Sequence, residues 1–140
     1  MDAVRAAARI SLAIAGGSAV GAVCRALISL AFPVSFGAGL PWATLIANGL
    51  GSFLIGLIAA VGAPSGRWPL RAVGRHLWMT GFCGGFTTFS VFSLEAVALV
   101  HTGAAGMALG YAALSLGVWL GAVWLGAEAG TMVNRRIDRR

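Results

Sequence analysis

The sequence predicts an all-α membrane protein of four transmembrane helices, the third of them broken, folded as a single four-helix domain over residues 1–140. Two bulk observations carry the class: 59% of the residues are hydrophobic against 10% charged, and mean hydropathy is +0.88. The third is the distribution of the apolar residues. They fall into four runs, residues 10–32, 41–63, 77–99 and 104–129, each able to cross a hydrocarbon core that needs about 20 residues. The intervals between runs are too short for a soluble domain. The most polar of them surrounds Pro64-Ser65-Gly66-Arg67-Trp68-Pro69.

The first run follows Arg5 and Arg9, as a signal peptide would, but Arg25 interrupts it and apolar sequence resumes at once, so a retained span is expected. Gly21-Ala22-Val23 is a poor match to a lipoprotein site ahead of Cys24. Gly17 and Gly21 stand four apart, and Arg25 continues the same face. The second run carries Thr44, Asn48 and Ser52 at four-residue intervals on one face, with Ser52 and Gly56 as a small-residue pair. The fourth carries Gly106/Gly110, Gly117/Gly121 and Gly126/Gly130, with Tyr111 and Ser115 on a polar face. Small residues at this spacing let membrane helices approach closely. They are expected in every span except the third, and they imply a compact bundle or a dimer. Single hydroxyls and amides commonly bond helix to helix. Two aligned polar stripes beside a broken helix point instead to a pathway.

The third run contains GFCGGFTTFSVFSLE, residues 81–95. Gly81, Gly84 and Gly85 weaken a helix, and Thr87, Thr88 and Ser90 offer the backbone competing hydrogen bonds, so a break near mid-membrane is expected. Irregular backbone at that depth must be buried in protein or line an aqueous cavity, and its freed carbonyls suit a hard cation such as sodium. Phe89 and Phe92, three apart, share a side of the resumed helix. Such pairs serve core packing, or present positive ring edges to an anion.

Charge placement sets topology. Of the 10 basic residues, all but Arg25 (Arg5, Arg9, Arg67, Arg71, Arg75, Arg135, Arg136, Arg139 and Arg140) lie in the N-terminus, the second connection or the C-terminus. Four spans put those segments on one side, which the positive-inside rule assigns to the cytoplasm. The net charge of +6 is thereby explained by topology, with no nucleic-acid partner implied. Cys24 and Cys83 lack metal or redox spacing and read as helix thiols. His76 and His101 have no partner at ligand spacing. No nucleophile–base pair or set of metal-binding side chains indicates an enzyme.

GFCGGFTTFSVF, with Thr44-Leu45-Ile46-Ala47-Asn48-Gly49-Leu50-Gly51-Ser52 and Gly21-Ala22-Val23-Cys24-Arg25, resembles the Fluc (CrcB) family of fluoride channels across all four spans. The resemblance implies a bacterial inner-membrane channel that lets fluoride leave the cell passively and limits its toxicity. It implies a dimer of two subunits in opposite orientation, two pores, and one structural sodium that is not transported. The implied sodium ligands are the backbone carbonyls of Gly84 and Thr87. The implied anion pathway comprises Asn48, Phe89, Phe92, Thr44, Thr88, Ser90, Tyr111 and Ser115, with Arg25 and Glu95 near the aqueous vestibules. Trp119 departs from the pattern, since a small hydroxyl residue is typical there. The one-sided arginines favour a homologous subunit of reversed charge bias as partner, with a homodimer also open. The competing reading, a small proton-coupled multidrug exporter, calls for a carboxylate in the first span, where this chain has Arg25 and no acid.

Overall fold

The computed structural model describes residues 1–33 and 39–135, and Arg136, Arg139 and Arg140 lie outside them. Four helices are long and apolar enough to cross a membrane. Three are continuous: α1 (Asp2–Ala31), α2 (Trp42–Val61) and α6 (Ala105–Arg135). The third span, Ala72–His101, is composite: α3 (Ala72–Arg75), a π-helical stretch (His76–Cys83), α4 (Gly84–Phe86), and α5 (Ser90–His101) after an interruption. α1 and α6 outrun the apolar runs, since no proline stands between residues 2 and 10 or between 129 and 135. At 1.5 Å per residue their polar ends reach past a core of about 30 Å.

The bundle pairs α1 with the first half of the third span, α2 with α6, and α5 with α6. Backbone contact at glycine sets the first two pairings. A Cβ on Gly17 would meet Leu77 O and Phe82 N, and one on Gly21 would meet Phe82 O and Phe86 N; on Gly56 or Gly126 it would strike the backbone of Val123 or Phe53. The third span does carry such a seam, contrary to the sequence expectation. Gly81 faces Ile14 and Gly17, and Gly85 faces Ser18, so this four-residue pair answers Gly17 and Gly21 across the interface. By contrast, Gly106, Gly110, Gly117 and Gly121 have nothing within 4 Å of a built Cβ and take no part in packing within the chain.

The contacts pair Gly17 with Leu77 and Gly21 with Phe86, so α1 and the third span run parallel. Gly56 with Val123 and Gly130 with Ala60 make α2 and α6 parallel too. One end of the bundle therefore collects the start of α1, the second connection and the end of α6. Asn134 ties the last two together, accepting from Arg67 N at 2.8 Å and donating to Ala60 O at 3.0 Å. Arg5, Arg9, Arg67, Arg71, Arg75 and Arg135 thus share that end. At the other end, Gly103 adopts a positive φ of 83°, open to glycine without steric cost, and reverses the chain between α5 and α6. Leucines such as Leu12, Leu27, Leu109 and Leu120 point outward, as a lipid solvent permits.

Candidate functional site

The interruption in the third span falls at residues 87–89, among the hydroxyl residues expected to compete with the helical ladder and just past the glycines expected to weaken it. Gly81, Gly84 and Gly85 all stay helical: Gly81 and Gly85 are packed closely against α1, whereas Gly84 meets nothing within 4 Å and is exposed. What stops the helix is a set of side chains that capture its amides. In a continuous α-helix the Thr88 N–H would bond Gly84 O, and the Val91 N–H would bond Thr87 O. Here Thr88 N donates to Asn48 Oδ1 at 2.7 Å, and Val91 N donates to Thr88 Oγ1 at 3.2 Å, so Thr88, one residue ahead of the Phe89 N-cap, satisfies a first-turn amide of α5. Thr87 is extended (φ −88°, ψ 162°), its Oγ1 donating to Cys83 O at 2.9 Å. The amides that would occupy the Gly84 and Thr87 carbonyls are both taken elsewhere. Among the described residues, no group of three or more His, Cys, Asp or Glu could hold a metal. The break offers neutral oxygens, backbone carbonyls beside the hydroxyls of Thr87, Thr88 and Ser90, and neutral carbonyls are a donor type that suits a hard monovalent cation.

Asn48 is buried on α2, and its Nδ2 also donates to Thr88 O at 2.8 Å. The residue expected to donate to an anion is in the first place a clamp on the break, keeping one further N–H. Asn48, Ser52, Thr87, Thr88, Phe89 and Trp119 surround a cavity of about 190 Å³, and none of them carries a charge. Thr88 Oγ1 and Ser90 Oγ lie 3.3 Å apart at its margin. Gly51 lets Thr87 close on α2, since a Cβ there would meet Thr87 Cγ2.

Phe89 and Phe92 are neighbours, with ring centroids 5.6 Å apart, but their surroundings differ. Phe89 is 70% exposed on the surface of the chain whereas Phe92 is 9% exposed, because residue 89 precedes the first turn of α5 and residue 92 faces α6. Phe92 packs against Tyr111 (5.1 Å) and edge-on against Trp119 (5.0 Å).

Glu95, expected at a vestibule, lies in the protein interior at 3% exposure. Burying a carboxylate without partners is costly, and two hydroxyls answer it: Thr44 Oγ1 donates to Oε1 at 2.8 Å and Tyr111 Oη to Oε2 at 2.7 Å. Thr44 and Tyr111 thereby spend their hydroxyl hydrogens on Glu95. Ser115 is fully buried one turn beyond Tyr111. The polar residues picked from sequence thus divide into a group at the break and a group around Glu95, with Phe92 touching both. Arg25 is half-buried and donates from Nε to Gly85 O at 3.3 Å, tying α1 to α4. Trp119 is the cavity residue that sequence reasoning left without a role. Its signal was the four-residue step from Ser115. Cys24 and Cys83 are free thiols.

The family described as CrcB-like protein, Camphor Resistance (CrcB), matches residues 12–127. The chain is 45% identical over 139 residues to a protein of Rhodopseudomonas palustris named fluoride-specific ion channel FluC 1, covering 96% of each. It is 46% identical over 122 residues to a FluC 1 of Bradyrhizobium diazoefficiens, covering 87% of this chain and 84% of that one. It is 48% identical over 125 residues to a FluC of Deinococcus radiodurans, covering 89% and 94%. A match spanning all four helices and the clamped break between α4 and α5 shows that this chain belongs to the CrcB family.

Proposed function

We propose that this chain is a subunit of a fluoride channel that lets the ion leave a bacterial cell down its gradient through the plasma membrane. The observation that carries the reading is the uncharged cavity at the break, walled by Asn48, Ser52, Thr87, Thr88, Phe89 and Trp119. Fluoride is small and tightly hydrated, so a pore must replace its water with close donors and still release it, and a fixed cation in the narrow part would hold it. Neutral N–H and O–H donors beside the positive edges of Phe89 and Phe92 meet both needs. The names of the relatives support the same ion.

Gly84 O and Thr87 O would hold a structural sodium together with the same pair from a second subunit in opposite orientation, which makes a ligand set of neutral carbonyls. Gly84 is exposed on the subunit surface, where a second subunit can reach it. Sodium supplies charge there that fixes the two breaks against each other, and it does not move with fluoride. The arginines gathered at one end of the bundle favour cytoplasmic termini and a partner of reversed bias.

The test is efflux from liposomes holding the purified protein, with potassium shunted by an ionophore. Fluoride should leave electrically and chloride should not. Glu95 is a buried carboxylate of the sort a proton-coupled exporter uses, so flux that needs a proton gradient, or equal chloride flux, would overturn the channel reading. Replacing all sodium by a large organic cation should abolish function; full activity without sodium would remove the sodium assignment.

A further inference from the structure

The third span begins beside a cavity of about 570 Å³, lined by Leu70, Ala72, Arg75, His76, Met79 and Thr80. That volume lies in the range of small-molecule sites, about 300–1,000 Å³. Its Leu70 wall is fixed by the second connection: Leu70 N donates to Gly62 O at 3.1 Å, and a Cβ on Gly62 would meet the Leu70 side chain. Arg75 stands exposed at the edge, and the His76 ring turns Nδ1 to Thr80 Oγ1 at 3.3 Å. The cavity thus offers a cationic group at the start of the span and apolar surface, from Leu70 and Met79, beside it. Trp68 and Trp78 are 60% and 45% exposed, as tryptophans at a headgroup boundary are. Counter-charge is scarce at this end, where the described residues set Arg5, Arg9, Arg67, Arg71, Arg75 and Arg135 against Asp2 and Glu128. An inverted copy of this chain would bring its other end to this level, and that end carries no carboxylate: the remaining acids are Glu95, in the interior, and Asp138, beyond α6. A partner of reversed bias would add only positive charge.

We propose that this cavity holds the phosphate headgroup of an anionic phospholipid from the leaflet at the arginine end. The Arg75 guanidinium fork suits two phosphate oxygens, and His76 Nε2 donates as well when Thr80 Oγ1 gives its hydrogen to Nδ1. The glycerol and the first acyl carbons lie against Leu70 and Met79. Basic pockets between membrane helices bind lipid headgroups in this way, whereas a free fluoride or phosphate ion leaves the apolar wall unused. The inference rests on the four membrane spans and is independent of the fluoride reading. The cavity adjoins the π-helical stretch His76–Cys83 that leads to the break, so a lipid seated there braces the segment that carries Gly84.

The test uses the intact protein in detergent, read by native mass spectrometry and by melting temperature. Phosphatidylglycerol should stay bound and raise the melting temperature, as a ligand of the folded state does, and phosphatidylcholine with the same acyl chains should do neither. Arg75→Gln should weaken retention by about tenfold, the loss expected of one hydrogen bond to a charged group. Arg75→Lys should restore part of it, and Arg5→Gln, outside the cavity, should leave it unchanged. Should Arg75→Gln fold poorly, His76→Gln carries the same expectation. Equal retention in the Arg75 and Arg5 variants overturns the inference, because binding then belongs to the basic end at large. Displacement of the lipid by inorganic phosphate or fluoride would overturn it too, by making the cavity a free-anion site. Loss of the lipid on dimer formation would give the cavity to the partner subunit.

Discussion

Asn48 and Thr88 form a closed hydrogen-bonded pair between α2 and the third span: the Asn48 carboxamide donates to the Thr88 carbonyl at 2.8 Å and accepts from the Thr88 amide at 2.7 Å. The pair makes the break a product of tertiary contact. Without it, the Thr88 amide could return to Gly84 O and close the helical turn.

Asn48→Ala should therefore do more than remove a donor. It strands two buried backbone groups at about 1–3 kcal/mol each unless the helix rewinds over them. Either outcome fills or displaces the Gly84 carbonyl. Fluoride efflux is expected to fall by at least about tenfold, the kinetic equivalent of roughly 1.4 kcal/mol, with a lower melting temperature in detergent. Wild-type efflux together with wild-type melting would show that the clamp is dispensable.

The two phenylalanines should separate by substitution. Phe92 packs on Tyr111 and Trp119, so Phe92→Ile should lower both thermal stability and flux. Phe89 is largely exposed on the subunit, and Phe89→Ile should leave the melting temperature of the dispersed subunit nearly unchanged while flux falls. Unaltered efflux in both variants would return the pair to ordinary packing.

Glycines of the same spacing should differ sharply in tolerance. A methyl at Gly21 meets the Phe82 carbonyl and Phe86 amide, both backbone, whereas one at Gly117 meets nothing within 4 Å in the subunit. Overpacking of this kind costs about 1–3 kcal/mol, so Gly21→Ala should reduce the yield of folded protein on size exclusion. Gly117→Ala should fold normally. If Gly117→Ala folds but loses only dimer, that face of α6 is in the interface. Equal tolerance at both positions would contradict the α1 packing described above.

Glu95 depends on its two hydroxyl partners. Tyr111→Phe removes one of the two hydrogen bonds to Glu95 and should destabilise by about 0.5–3 kcal/mol, the range that spans bonds to neutral and to charged groups. Pairing it with Thr44→Val should give a double variant whose loss is not the sum of the singles, since both act on one carboxylate. Additive melting shifts would mean that the two bonds act independently.

The partner question is decided by topology. With Arg5, Arg9, Arg67, Arg71, Arg75 and Arg135 at one end of the bundle, a single orientation is expected. A compartment-sensitive reporter on the C-terminus should signal from the cytoplasm alone, and fluoride conduction should then require a homologous subunit of reversed bias. Clear signal from both sides would support a homodimer instead.

Hydropathy, arginine placement and the residues 81–95 motif determined the four spans, the clustering of charge at one end and the presence of a break, because each of these is written in consecutive residues and in the cost of polar groups in lipid. The tertiary structure decided what each polar residue does. Glu95 reads in sequence as an acid near a span end, and it becomes an interior anchor only because α2 and α6 bring Thr44 and Tyr111 to its two oxygens. Gly81 and Gly85 read as helix breakers, yet they stay helical because α1 presses its own glycines and Ser18 against them. Within the motif the break is fixed at residues 87–89 because Asn48, 40 positions away, reaches the Thr88 amide there. A backbone hydrogen bond in a membrane yields only to a better-placed partner, and which partner is in reach depends on how the helices pack.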